Sequence, residues 1–198
     1  MARKKDQEQT EKRREQILAA ALSSFSRKGF HTTSMQEICK KAGMSPGTVY
    51  HYYRSKDEII VDIARGELES ARLFADLLAT NETLKQGLEK AVDAILFSKE
   101  YKGKFQITME VVCEAGRNPK VAKQLLEADK VALKAIRKGL EQDGLGKEGI
   151  TTEVLAEYIG GQLEMLEMYK LFDPSPRKCA QMAELSKQTL AALLAPDS

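Results

Sequence analysis

The run Met44–Ile60, MSPGTVYHYYRSKDEII, sets Tyr50, His51, Tyr52, Tyr53, Arg54 and Lys56 directly after a Ser-Pro-Gly turn signal. Three phenols, an imidazole and two cations in so short a span offer hydrogen bonds and positive charge. That chemistry suits reading a polyanion better than making or breaking covalent bonds. No nucleophile motif and no Gly-rich phosphate loop accompanies them, and the chain has only 2 histidines, so an enzyme's equipment is missing. Neither His31 nor His51 has a cysteine, histidine or carboxylate at ligand spacing, so no metal and no cofactor is expected.

A helix would present these groups in an ordered way. Ser45 is placed to cap it, with Pro46 at the first position, where a missing N–H is harmless. Successive residues turn by about 100°, so Val49 and Tyr53 share the face that anchors the helix, and Gly47, Thr48 and His51 point the other way. Tyr50 and Tyr52 fall on the flanks. A helix so patterned suits the DNA major groove, about 12 Å wide, with outward residues at base edges and flanking hydroxyls at the phosphate walls. Gly47 lets the backbone approach the bases, Thr48 offers a methyl and a hydroxyl, and His51 donates or accepts. Lys56 and the amides opening the following helix are placed for phosphate. Thr33 and Ser34, which open the preceding helix, are placed likewise, and Gln36 one turn in is placed for an adenine. His31 has no partner in this pattern and reads as surface.

The elements that must hold this helix are legible on either side of it. Gln9–Lys28 carries the stripe Ile17, Leu18, Ala21, Leu22 and Phe25 and ends at Gly29. Ser34-Met35-Gln36-Glu37 is a capping box that opens a second helix, closed at Gly43, with Met35, Ile38, Cys39 and Ala42 inward. Two helices joined by so short a turn form a helix-turn-helix. Ser55-Lys56-Asp57-Glu58 is a second capping box, starting a helix that reaches about Thr80. Helical periodicity continues over Glu82–Ser98, Lys104–Ala115, Pro119–Gln142, Thr151–Phe172 and Pro176–Leu194, and no run alternates as a strand would. The expected fold is therefore all-α, with about nine helices.

Charge divides the chain. Residues 1–56 hold 12 Lys+Arg against 5 Asp+Glu, whereas residues 57–198 hold 19 against 24. A basic head of residues 1–56 and an acidic body of 57–198 place a polyanion partner at the head. A non-specific architectural DNA binder would share the basic head but has no use for the body. No window approaches the roughly 18 apolar residues of a membrane span, and the basic start leads into polar residues instead of a signal-peptide core, so a cytoplasmic protein is expected. Cys39, Cys113 and Cys179 sit inside apolar helical patterns and read as buried free thiols.

The run Thr33–Ile60, TSMQEICKKAGMSPGTVYHYYRSKDEII, following a helix that ends FSRKGFHTT, resembles the N-terminal DNA-binding domain of the TetR (tetracycline-repressor-like) family of bacterial transcriptional regulators. The resemblance covers about residues 10–60. It implies operator contacts at Gln36, Pro46, Gly47, Thr48, Tyr50, His51, Tyr52 and Lys56, with Thr33 on phosphate. Cys39 stands where the family usually has alanine. Tyr53 stands where phenylalanine is common, so its hydroxyl needs a partner at the core edge.

For the body, the resemblance implies an all-helical domain that binds a small-molecule effector and dimerises through its last two helices. Helix-turn-helix heads read half-sites about 34 Å apart, which calls independently for a two-fold homodimer on an operator in double-stranded DNA. In Thr151–Phe172 the apolar residues spread over more than one stripe, so that helix needs partners on two sides. Gly160 and Gly161 point to close helix approach, either between subunits or at a kink within one. Gly160, Gly161 and Leu163, with Met182 and Leu190 on the last helix, are expected at the dimer interface. Phe97, Tyr101, Phe105, Met109, Val112, Cys113, Gln162, Met165, Met168 and Tyr169 are candidate effector-pocket residues, methionine being adaptable to irregular ligands, and core packing is the rival use of the same stripes. Glu110 and Glu114 would add polar contacts. Ligand-released repression is what the family implies; an activator, a protein effector or no effector are the alternatives on the same fold.

Overall fold

A computed structural model of the chain describes residues 2–98, 101–172 and 174–195, excluding the side chains of residues 2–6, 101–106 and 171. Nine helices occur among them and no strand: α1 (Ala2–Lys28), α2 (Met35–Ala42), α3 (Pro46–Tyr52), α4 (Lys56–Ala79), α5 (Leu84–Phe97), α6 (Tyr101–Ala115), α7 (Pro119–Gln142), α8 (Thr152–Leu171) and α9 (Pro176–Leu193). The chain divides into two compact units, Met1–Gly66 with Gln106–Gln124, and Glu67–Phe105 with Leu125–Ser198. The first unit thus takes in the C-terminal part of α6 besides the head. Residues 56 and 57, where composition changes, lie in the first turn of the continuous α4.

In the first unit α1 packs on α2, and α2 on α3. Ile17, Ala21 and Phe25 of α1, Ile38, Cys39 and Ala42 of α2, Val49 and Tyr53 around α3, and Ile59, Ile60 and Ile63 of α4 are buried. Serine caps set the starts of α2 and α4. Ser34 accepts from the Glu37 amide while Glu37 accepts from the Ser34 amide, which completes the first capping box. The second is skewed: Ser55 Oγ accepts from the Glu58 amide, but the Glu58 carboxylate reaches past Ser55 to the Arg54 amide at 2.7 Å. Gly29 ends α1 with φ of 84°, a left-handed conformation that L side chains rarely adopt, and its amide closes on Phe25 O at 2.7 Å.

In the second unit α5 packs on α8 and α9. Its core joins Leu88, Val92, Ile95 and Leu96 of α5 to Ile136 and Leu140 of α7, Leu155, Ile159, Leu163 and Leu166 of α8, and Cys179, Ala183 and Leu190 of α9. Two glycines set the spacing around α5. A Cβ on Gly87 would lie 2.9 Å from Leu78 Cδ2 and 3.1 Å from the Leu78 backbone, and one on Gly139 would lie 2.7 Å from Leu84 Cδ1. The helices meet there more closely than any larger residue permits. Polar ties finish the packing: Asp143 accepts from the Leu84 amide at 2.7 Å, Lys170 caps Leu96 O at 2.6 Å, and Lys187 pairs with Asp93 at 2.7 Å.

Candidate nucleic-acid interface

α3 is held from below and open above. Val49 is fully buried and Tyr53 nearly so, whereas Pro46, Gly47, Tyr50 and His51 are exposed and Thr48 and Tyr52 half-buried. Ser45 Oγ accepts from the Thr48 amide at 3.2 Å and lies 2.8 Å from the Thr48 hydroxyl, so the cap also orients that side chain. The His51 and Tyr52 rings meet edge to face at 5.2 Å. No Cβ contact surrounds Gly47 within 4 Å. The seven residues therefore present small and hydrogen-bonding groups on one open face.

The Tyr53 hydroxyl finds its partner on α4, donating to Asp62 Oδ2 at 2.5 Å. Arg14 of α1 donates to the same oxygen at 2.8 Å, Arg65 donates to Oδ1 at 2.9 Å, and the Arg14 guanidinium lies 4.9 Å over the Tyr53 ring. Burial pushes the Asp62 carboxyl up, but the hydrogen bonds from Tyr53, Arg14 and Arg65 outweigh it, and the net shift is downward. Burial, then the bond to Asp62, raises the Tyr53 phenol well above its ordinary value, and the bond to Asp62 raises Arg14. A cleft of about 820 Å³, lined by these four residues and by Tyr52, Glu114 and Arg117 among others, lets water reach the edge of the cluster.

The loop from Gly29 to Thr33, which leads into α2, is gripped from two sides. Lys56 Nζ donates to Phe30 O at 2.7 Å and His31 O at 3.1 Å and lies 4.7 Å from the Phe30 ring centre. Glu110 of α6 accepts from the Phe30 amide at 2.8 Å. His31 Nε2 lies 2.8 Å from Arg117 Nη1 and 3.3 Å from Glu114 Oε2. A bare Nε2 accepts from the arginine, and a protonated one donates to the carboxylate, so these two bonds alternate. His31 is thus partnered, and the carboxylates of Glu110 and Glu114 both contact this loop. Sequence offered no signal for either pairing, since the partners stand 80 or more positions apart.

Ser34 and Gln36 are exposed at the start of α2. Thr33 is buried and donates its hydroxyl to Gly29 O at 2.8 Å, which leaves its side chain facing the loop. Lys56 is likewise committed to carbonyls within the head.

In the second unit the expected interface residues part company. Leu163 and Leu190 lie in the core, with Met182 packed against it. A Cβ on Gly160 would meet Leu133 Cδ2 at 3.2 Å, so this glycine serves the approach of α7 within the subunit, whereas Gly161 has nothing within 4 Å. The exposed apolar residues of α8 are Val154, Tyr158, Met165, Met168 and, just past its end, Phe172, with Leu185 on α9. Met165 and Met168 thus stand on an outer stripe. Tyr169 packs against the core, Gln162 is half-buried and Phe97 is exposed. On the α6 segment of the first unit Met109 is half-buried, while Val112 and Cys113 are exposed, so Cys113 is not a buried thiol as Cys39 and Cys179 are. The side chains of Tyr101 and Phe105 lie outside the described residues. Among the described residues no helix is long and apolar enough to cross a membrane.

Comparison with known proteins bears on the same segment. Residues 17–63 match the family described as bacterial regulatory proteins, tetR family. The HTH-type transcriptional regulator UidR of Escherichia coli (strain K12) is 36% identical over 113 residues, 57% of this chain and 56% of UidR, so the match spans about half that relative's length. The uncharacterized HTH-type transcriptional regulator YhgD of Bacillus subtilis (strain 168) is 26% identical over 92% of both chains. The structure of Salmonella enterica GusR superposes with a TM-score of 0.75 at 26% identity, covering 92% of this chain and 95% of that one. The capped three-helix head with its exposed α3 face is thus the part of the chain that matches the tetR family of bacterial regulatory proteins.

Proposed function

We propose that the protein is a sequence-specific DNA-binding transcriptional regulator, not an enzyme, that sits as a homodimer on a palindromic operator and leaves it when a small molecule binds the body. The observation that carries the reading is the open face of α3, Pro46, Gly47, Thr48, Tyr50 and His51, set over buried Val49 and Tyr53 in the basic part of the chain. Side chains of this kind read base edges and phosphate walls together. Tyr52, Ser34 and Gln36 extend the same contact surface. Thr33 contributes through its backbone, because its hydroxyl is committed.

The dimer reading rests on α8. Val154, Tyr158, Gly161, Met165, Met168 and Phe172 recur at the alternating four- and three-residue steps of a helix seam, and an exposed apolar stripe of that length is unusual on a monomer. A second copy of the same stripe is the partner, with Leu185 of α9 beside it. Effector release follows from linkage: a ligand that prefers one spacing of the two heads by about 1 to 3 kcal/mol changes operator affinity several-fold to a hundred-fold.

Selection of duplexes from a random library by the purified protein tests the reading. An inverted repeat with half-site centres about 10 base pairs apart is the expected product. Recovery of sequences no different from the starting library would leave only a non-specific binder. A calorimetric screen of small molecules, repeated with the selected duplex present, then tests ligand release.

A further inference from the structure

We infer that Tyr53 and Asp62 form a positioning pair for the recognition helix: their hydrogen bond sets the direction in which the open face of α3 points, and so governs sequence preference apart from general attraction to DNA. This rests on the reading of the head as a DNA binder. The starting point is how little else holds α3. It has seven residues, far below the roughly 12 to 15 at which a helix is stable by itself, and Val49 is its one buried residue. Its N-terminal cap is local, Ser45 bonding to Thr48. Its C-terminal cap is Tyr53, whose amide donates to Val49 O at 2.9 Å and whose ring is 2% exposed.

Tyr53 is therefore the lever at the C-terminal end of the helix, and Asp62 is where it is pinned. The carboxylate takes three donors from three elements: the Tyr53 phenol at the end of α3, Arg14 from α1, and Arg65 from its own helix α4. Arg14 meanwhile covers the Tyr53 ring face. With its hydroxyl fixed at one end and its ring held on the other, Tyr53 has little freedom to rotate. Tyr50 and His51 lie within one turn of it, so a tilt at Tyr53 is carried directly to them. Contact constellations of this kind need placement to about 0.5 Å to discriminate. Neither Tyr53 nor Asp62 belongs to the open face, so their influence on base preference is indirect.

Tyr53→Phe keeps the ring and removes the pin. Two measurements decide the matter. In the free protein, amide exchange at Tyr50–Tyr53 should quicken about tenfold relative to α2, since the end of α3 loses its tether without global unfolding. On DNA, the ratio of affinities for the selected duplex and for random duplex should fall about tenfold, with the salt dependence unchanged, because no phosphate contact is lost. In an Asp62→Asn background, Tyr53→Phe should add less than twofold to either readout, because the acceptor geometry is already disturbed. Exchange that stays level with α2, or an unchanged specificity ratio in a folded Tyr53→Phe protein, overturns the proposal. If the wild-type chain selects no duplex at all, the regulator reading fails, and the exchange arm still decides whether the pair positions α3.

Discussion

Lys56 shows how a single residue changes meaning between sequence and structure. Its place at the start of a helix beside the reading element suggests phosphate contact. The fold instead spends its ammonium on Phe30 O and His31 O, with the Phe30 ring beneath. Charged hydrogen bonds of this sort contribute about 1.5 to 3 kcal/mol, less here because the site is half open to water. Lys56→Met, which keeps the stem, is therefore expected to lower unfolding stability by about 1 kcal/mol in urea and to leave the slope of log affinity against log salt unaltered. A slope reduced by about one would return Lys56 to the phosphate list. The face of α3 was legible because a rotation of 100° per residue needs no tertiary knowledge. The partners of His31, Glu110 and Asp62 were not, because they come from distant positions and leave no local pattern. Tyr53 is the intermediate case: a phenol at a buried position demands an acceptor, but nothing in sequence names Asp62.

At the scale of the element, caps and glycines decide boundaries and spacing. Seven of the nine described helix starts follow a Ser, Thr or Pro signal, at α2, α3, α4, α5, α7, α8 and α9, while α6 begins at Tyr101, three residues before its periodicity becomes apparent. The α2 cap carries a pH prediction. The hydrogen bond from Lys28, and then the Ser34 amide, hold the Glu37 carboxyl down from 4.5 to about 2. Because the folded value lies below the ordinary one, the contribution is complete above about 4.5 and is lost as pH falls through about 2. A Glu37 side-chain carbon titrating near 2 by NMR in a chain still folded there is the expected result, and a midpoint near 4.5 would mean that Lys28 and Ser34 do not hold it. Gly139 carries a packing prediction. Alanine would gain about 1 kcal/mol of helix propensity, but its methyl would sit 2.7 Å from Leu84 Cδ1 and 3.1 Å from Cβ and Cγ, so the whole side chain must move. Overpacking of this kind typically costs 1 to 3 kcal/mol, and a net loss of about 1 to 2 kcal/mol by chemical denaturation is expected. A gain in stability would show that α5 and α7 can separate freely.

For the whole molecule the question is what covers the outer stripe of α8. The helix is apolar on two sides: Leu155, Ile159, Leu163 and Leu166 go into the core, and Val154, Tyr158, Met165 and Met168 stay outside. Sequence shows that two partners are needed but cannot say which side faces which, because both sides carry apolar residues. Hence Leu163 and Met165, two positions apart, invite opposite assignments, and the fold separates them. Leu163→Glu should unfold the second unit, since it buries a carboxylate among Leu and Ile side chains, and loss of the helical circular dichroism signal at 25 °C would register it. Met165→Glu touches none of that core, so the signal and the unfolding midpoint of the subunit should persist. What it should change is assembly: the carboxylate would sit against its two-fold mate, and sedimentation at micromolar concentration should show monomers. Operator affinity should then drop by a factor of about 100 or more, because the second head no longer binds at the high effective concentration that the dimer provides. A Met165→Glu protein that remains dimeric and binds the operator as wild type does would show that the stripe faces something other than a second copy.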